Sequence, residues 1–391
     1  MRTAARLQDV PANAVRSQAQ GDGTWRYWLA GDSDLPVDPP SKPEPPQPSI
    51  VVPRATGGND SPILQRVIDD ASAMAANRGT QVRLHFPPDA YLFNGLTLKS
   101  NVWYDFGAAR FTHNNVRSGS YNAGSSSVSL LRTVSDQTGG TWYGKAQNIR
   151  ISGGLFDASQ AGQMQAGLIL FNLEDALIEN VAFVHGSLAY WGICIGGRRV
   201  TIKDPVVIGG TLLGQDGVHL CFGDRITGTG GHVDSGDDAL ALGMDNWTGQ
   251  YEDEALTNVT WNGMTVRANR GCAVKVHCPP IGQRIVGANR HKVANVNIRG
   301  IVGASGILRN GGFAVVDHSV EAQQDAGMLR NIHIDGALDV GSPGHDGANP
   351  WAAFVTASTN VRVDLKARID PKVGTKNVLP GAIRATVDVL S

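Results

Sequence analysis

A short pattern recurs along the chain and limits the kind of core it can build. An apolar residue, a spacer, a glycine, asparagine or aspartate, and a second apolar pair appear as IRISGGLF, ALIENVAF, VTIKDPVV, RITGTGGHV, VTWNGMTV, VNIRGIVG, IHIDGALDV and VRVDLKARI. With Ile151, Ile178, Ile202, Ile226, Trp261, Ile298, Ile334 and Val363 as anchors, the steps are 27, 24, 24, 35, 37, 36 and 29. A basic step of about 22–27 residues, lengthened by inserted loops, marks a solenoid in which each repeat supplies one rung. Within each repeat the side chains alternate as in a strand, and glycine or asparagine stands at the bend. The leucine–asparagine consensus of leucine-rich repeats is absent, and so are helices between the strands. The expected fold is all-β, a right-handed parallel β-helix running from about residue 80 to 370.

Composition agrees with this. The chain has 48 glycines in 391 residues and only 18% charged residues, which suits short strands joined by tight turns better than helices. Its 34 basic and 35 acidic side chains give a net charge of −1, so no general attraction to nucleic acid or anionic lipid is expected. No apolar run approaches the ~18 residues of a membrane span. The first residues, MRTAARLQDVPANAVRSQAQGDG, contain no apolar stretch behind their arginines, so no secretory signal is expected. Cys194, Cys221, Cys272 and Cys278 lack the paired spacing of a zinc site and are expected to be mainly thiols.

The N-terminal part divides by composition. Residues 1–36 form a short arm around GDGTWRYWLAGDSD, too small for its own core and suited to attachment or to contact with sister chains. Residues 37–53, VDPPSKPEPPQPSIVVP, form a stiff proline-rich linker, and 54–391 are the β-helix domain. At its start a helix is expected over 61–77, capped by Asp60 or Ser61, opened by Pro62, and buried through Ile63, Val67, Ile68 and Ala71.

The chemistry lies where successive coils open. The segments WGICIG, DGVHLC, DDALAL and CAVKVH align so that Val218, Leu240 and Val274 point inward. His219, Ala241 and Lys275 then share an outward column, and Asp216, Asp237 and Asp238 precede the strands on neighbouring rungs about 4.8 Å apart. Three carboxylates this close cannot all ionise freely. Repulsion raises at least one pKa and places a protonated acid beside an ionised base, the pair that glycoside cleavage requires. Asp238, ahead of an inward Leu240, is expected to be the more desolvated and hence the acid. Lys275 is expected to hold a substrate carboxylate or to depress one aspartate. The bland alternative is that acidic bends merely cap strands.

These turns resemble those of the polygalacturonase family, within the pectin-lyase-like β-helix superfamily. The family's Asn-Thr-Asp-Gly is met by Gly214-Gln215-Asp216-Gly217, its Gly-Asp-Asp by Gly236-Asp237-Asp238, and its Arg-Ile-Lys by Ala273-Val274-Lys275. The resemblance implies inverting hydrolysis, with one aspartate as acid and the others activating water. Two positions depart from it: the Gly-His-Gly turn has no counterpart, leaving His219 to stand in spatially, and the arginine is Ala273. The lead-in GNDSPILQRVIDDA to VRLHFPPDAYLFNGLTLKSN also resembles the opening of phage tailspikes, where a helix caps the coil stack. That resemblance implies a homotrimer in a virion tail, attached through the arm and otherwise extracellular. The partner implied is a polysaccharide of capsule, lipopolysaccharide or pectin-like type.

Around the acids, His277, Arg270 and Arg309 are placed to line a groove, and Tyr190 and Trp191 to stack on sugar rings. Trp25, Trp28 and Trp247 fall in the arm or a loop, and Asp317-His318 opens a later rung. No cofactor and no metal set is expected. Three functions compete: a hydrolytic depolymerase, a glycan-binding adhesin without cleavage, and a uronic-acid lyase or epimerase with Lys275 or His219 as base.

Overall fold

In the computed structural model, residues 48–113, 129–133, 144–161, 164–186, 189–243, 255–278, 292–306, 314–318, 328–341, 351–356, 358–371, 373–378 and 382–390 are described, together with strands at 2–4, 14–19 and 25–29. The side chains of 1–47, 164–165, 189–190 and 314–318 are outside that description. The chain separates into two units, Met1–Gln47 and Pro48–Ser391. In the first, strand Trp25–Leu29 pairs antiparallel with both Arg2–Ala4 and Ala14–Ala19. The arm therefore has sheet structure that its sequence did not announce.

The second unit is a right-handed parallel β-helix. Its described strands form one 23-stranded sheet in continuous order, and every neighbour pairing with a recorded register is parallel. Three ladders run its length. One contains Val82–His85, Val102–Phe106, Ala146–Ser152 and their successors to Thr386–Leu390. A second contains Ala90–Phe93 through His232–Ser235 and onward. The third, which opens each coil in the site region, contains Leu131–Arg132, Val218–Leu220, Leu240–Leu242 and Val274–Cys278. Strand Ser49–Val51 pairs with Val82–His85, so the last residues of the proline-rich stretch already belong to the first coil.

The repeat anchors form a buried column, Ile151, Ile178, Ile202, Gly228, Trp261, Ile298, Ile334 and Val363. Ile226 stands two residues off it, stacked on Val200 and Val259. In this coil the column position is the glycine, two residues beyond the expected anchor Ile226. A Cβ on Gly228 would sit 2.1 Å from Trp261 Cε3, so the missing side chain is the space that the indole fills. Trp261 is fully buried, and its Nε1 donates to Gly230 and Gly263 carbonyls at 3.2 Å.

One bend is held the same way in coil after coil. Asn101, Asn148, Asp175, Arg199, Arg225, Asn258, Asn295, Asn331, Asn360 and Arg384 all adopt φ between 52° and 61°. Asparagine tolerates this left-handed conformation better than most residues. Here it adds a ladder: Asn295 Nδ2 donates to Asn258 Oδ1 at 3.0 Å, Asn331 to Asn295 at 2.9 Å and Asn360 to Asn331 at 2.9 Å.

The helix Ser61–Arg78 has Pro62 in its first turn and ends at left-handed Gly79. It buries Leu64, Ile68, Ala71 and Ala75, whereas Ile63 is exposed and Val67 only half-buried. The packed face is rotated from the expected one, and Asp60 anchors the entry. Its carboxylate accepts Thr56 N–H and Leu92 N–H instead of capping the helix.

Candidate active site

The expected register holds. Val218 pairs with Leu240 and Leu240 with Val274, while His219 pairs with Ala241 and Ala241 with Lys275. The turns before these strands lie on one another through the parallel ladder: Gly217 N–H donates to Asp238 O and Ala239 N–H to Cys272 O, both at 2.8 Å. As a result Asp216, Asp237 and Asp238 bring carboxylate oxygens within 4.8 Å of one another. A divalent cation could bridge that spacing, but the Lys275 ammonium already lies 3.1 Å from Asp238 Oδ2.

The cluster is more enclosed than a surface patch of outward side chains. Asp216, Asp238 and His219 are buried, Asp237 is half-buried, and Lys275 keeps 35% of its side chain exposed. The reason is a second apolar cluster on the outer side of the same ladder. Ala166, Ile169, Phe171, Trp191, Cys194, Cys221 and Phe222 pack there, with Phe171 and Phe222 ring centroids 5.3 Å apart. Cys194 and His219 are register partners, so this cluster continues directly into the site. All four cysteines are buried and none forms a disulfide among the described residues.

This burial changes the part several residues can play. Trp191 is 7% exposed and meets His219 edge-on at 5.2 Å; it walls the histidine and offers no open face to a sugar. His219, 1% exposed, is likewise removed from substrate. Its Nε2 lies 2.7 Å from the Gly243 carbonyl and its Nδ1 3.0 Å from Asp216 Oδ2. A carbonyl only accepts, so Nε2 carries a proton, and the Nδ1···Oδ2 contact needs one further proton shared between ring and carboxyl. Asp216 Oδ1 accepts the Asp238 N–H at 3.2 Å. Half-buried His277 lies against His219, with ring centroids 5.8 Å apart. Arg270, also half-buried, donates Nε–H to the Thr211 carbonyl at 2.9 Å. The Tyr190 side chain, Arg309, Trp247 and the side chains of Asp317 and His318 lie outside the described residues.

The three carboxyl groups are not perturbed alike. Burial, and then the charges of Asp238 and Asp216, push the Asp237 carboxyl up to about 8. Asp216 is also raised, by burial first, with its His219 hydrogen bond opposing the shift. Asp238 has the Lys275 ion pair and accepts the Cys272 N–H at 2.8 Å. The Asp238 charge in turn holds the Lys275 ammonium well above its ordinary range. Asp237, with no ion pair among the described residues, is therefore the group poised to be a neutral acid at neutral pH. Asp238 is the ion-paired member of the cluster.

Three contributors were not picked out from sequence. Gly214 donates its N–H to Asp237 Oδ2 at 2.6 Å. Gly243 supplies the carbonyl that orients His219. Gly271 leaves room for Asp237, since a Cβ there would stand 2.5 Å from Asp237 Oδ1. All three lie within residues 214–276, the stretch that carries the aspartates and Lys275, but act through backbone groups or missing atoms that residue type does not reveal.

No protein-family model matches the chain, and no curated protein sequence matches it. Solved structures do. A surface protein and adhesin of Streptococcus pneumoniae is 12% identical with a TM-score of 0.50, covering 88% of this chain and 100% of that one. A tailspike protein mutant of an E. coli bacteriophage, solved in complex with a pentasaccharide, is 13% identical with a TM-score of 0.51, covering 88% of this chain and 65% of that one. A polygalacturonase from Erwinia carotovora is 12% identical with a TM-score of 0.49. At these identities the likeness is one of fold: the chain has the right-handed parallel β-helix fold. Among its described residues no helix is long and apolar enough to cross a membrane.

Proposed function

We propose that this β-helix cleaves a polysaccharide by hydrolysis, with Asp237 as general acid and Asp238 as the carboxylate that activates water. The observation that carries this reading is the gathering of three carboxyl groups within 4.8 Å of one another, with a lysine ion-paired to Asp238 and the Asp237 carboxyl pushed up to about 8. In the reaction Asp237 gives its proton to the leaving glycosidic oxygen, and Asp238 takes a proton from the attacking water. The Lys275 ammonium pairs with Asp238 and holds its carboxyl group in place, and the Asp216–His219 pair fixes the floor of the site. The carboxylate spacing is shorter than the ~6.5–9.5 Å usual when acid and base flank the sugar from opposite faces. The inverting course implied by the family resemblance is thus measured separately, from the anomer of the first-formed product.

A phage tailspike is the setting we favour, with residues 1–36 as attachment arm and three chains in the particle. The fold shared with a tailspike that was solved holding a pentasaccharide supports this, as does the helix closing the N-terminal coil. The shared fold of a surface adhesin makes binding without cleavage the second reading. Incubation with capsule and lipopolysaccharide preparations tests both. Hydrolysis releases reducing ends without ultraviolet-absorbing unsaturated products; a lyase generates that absorbance; an adhesin binds and releases nothing.

A further inference from the structure

We infer that Gln215 is a positioning residue that holds Asp237 by both its backbone and its carboxyl, an inference that rests on Asp237 being the acid. Gln215 is buried, and its side chain closes the turn that precedes Asp216. Oε1 accepts the N–H groups of Thr211 at 2.7 Å and Leu212 at 2.8 Å, and Nε2 donates to the Gly186 carbonyl at 2.7 Å. One amide thereby fixes residues 211–215 in a loop and ties that loop to the coil before it.

The loop serves Asp237 in two ways. The Gln215 carbonyl accepts the N–H of Gly236 at 3.0 Å and that of Asp237 at 3.1 Å, which sets the acid's backbone. Gly214, next to Gln215, then points its N–H at Asp237 Oδ2. Gly236 lets the loop come this close: a Cβ there would lie 2.3 Å from the Leu212 carbonyl. An N–H aimed at a carboxylate stabilises its charged form, so it opposes the burial and the neighbouring charges that favour the neutral one. The charged groups facing Asp237 are Asp216 from the preceding coil, Asp238 from its own turn and Lys275 from the next coil. Gln215 belongs to none of these, yet it places the donor that balances them.

Two substitutions separate positioning from mere space-filling. Gln215→Met keeps the length and removes both hydrogen-bonding functions, while Gln215→Glu keeps the acceptor that Thr211 and Leu212 need. If Gln215 positions the loop, Gln215→Met lowers kcat on the glycan that wild type cleaves by about tenfold or more with KM changed less than about twofold. It also moves the alkaline limb of the pH profile upward, and Gln215→Glu retains more activity than Gln215→Met. The opposite order, with the limb unmoved, overturns the inference. An arm without substrate keeps it distinct from the catalytic reading. The pH range over which thermal stability declines should extend upward in Gln215→Met, and the extension should vanish when Asp237→Asn is added. An extension that persists without Asp237, or none in either background, also overturns it, whether or not any glycan is cleaved.

Discussion

Replacing Asp237 with asparagine should flatten the dependence of stability on pH. Asparagine imitates the protonated acid and keeps an oxygen for the Gly214 N–H. In the native chain the Asp237 carboxyl sits at about 8, whereas in an unfolded chain it titrates near ~3.9. Between those values the native state holds a proton that the unfolded chain has released. Stability is therefore fully present below about pH 4 and is lost as pH rises towards about 8. The steepest loss from one proton is about 1.4 kcal/mol per pH unit. Across pH 5 to 7 that amounts to roughly 2–3 kcal/mol, with Asp216, also raised, adding in the same direction. The variant should match wild type below about pH 4, and the gap should widen with rising pH to leave it the more stable protein at pH 8. Thermal midpoints measured from pH 4.5 to 8.5 give the comparison, at about 2 °C or less per kcal/mol in a chain of this size. Parallel curves for the two proteins would refute the raised acid and with it the assignment of Asp237.

Other substitutions test the surroundings. Lys275→Met leaves Asp238 beside two carboxylates without its cation. Removing one partner of a fully buried pair costs ~3–5 kcal/mol, and with 35% of the lysine side chain exposed about 2 kcal/mol is expected in chemical denaturation, more at pH 8 than at pH 5. Gly271→Ala drives a methyl to within 2.5 Å of Asp237 Oδ1, and displacing the acid should lower kcat by about tenfold to a hundredfold in steady-state assays. Gly228→Ala forces its Cβ against Trp261, and the overpacking should cost about 1–3 kcal/mol in the thermal midpoint, partly recovered by adding Trp261→Leu.

Much of the scaffold was legible because a strand has a period of two and a coil repeats its rung. The parity of Val218, Leu240 and Val274 followed from these, and with it the gathering of three aspartates. What escaped depended on contacts between coils. Ile226 looked like an anchor because the true position is a glycine that yields its volume to Trp261 one coil later. His219 and Trp191 read as open to substrate because alternation tells inside from outside and says nothing of a second cluster covering the outside. The Lys275–Asp238 ion pair, which sets Asp238 apart from Asp237, joins residues on successive rungs that adjacency in sequence does not show. Gln215 stands in the turn before Asp216, and an amide that binds backbone leaves no sequence pattern of its own.

Cleavage by the three aspartate variants tests the central claim most directly. On a glycan that wild type degrades, reducing-end release by Asp216→Asn, Asp237→Asn and Asp238→Asn should each be compared with wild type at matched pH. General acid–base catalysis contributes on the order of 10²–10⁴-fold per group. Asp237→Asn and Asp238→Asn should therefore lose at least about a hundredfold in rate while remaining folded and still binding the glycan. Full-rate cleavage by all three variants would contradict the account and place the chemistry elsewhere on the protein.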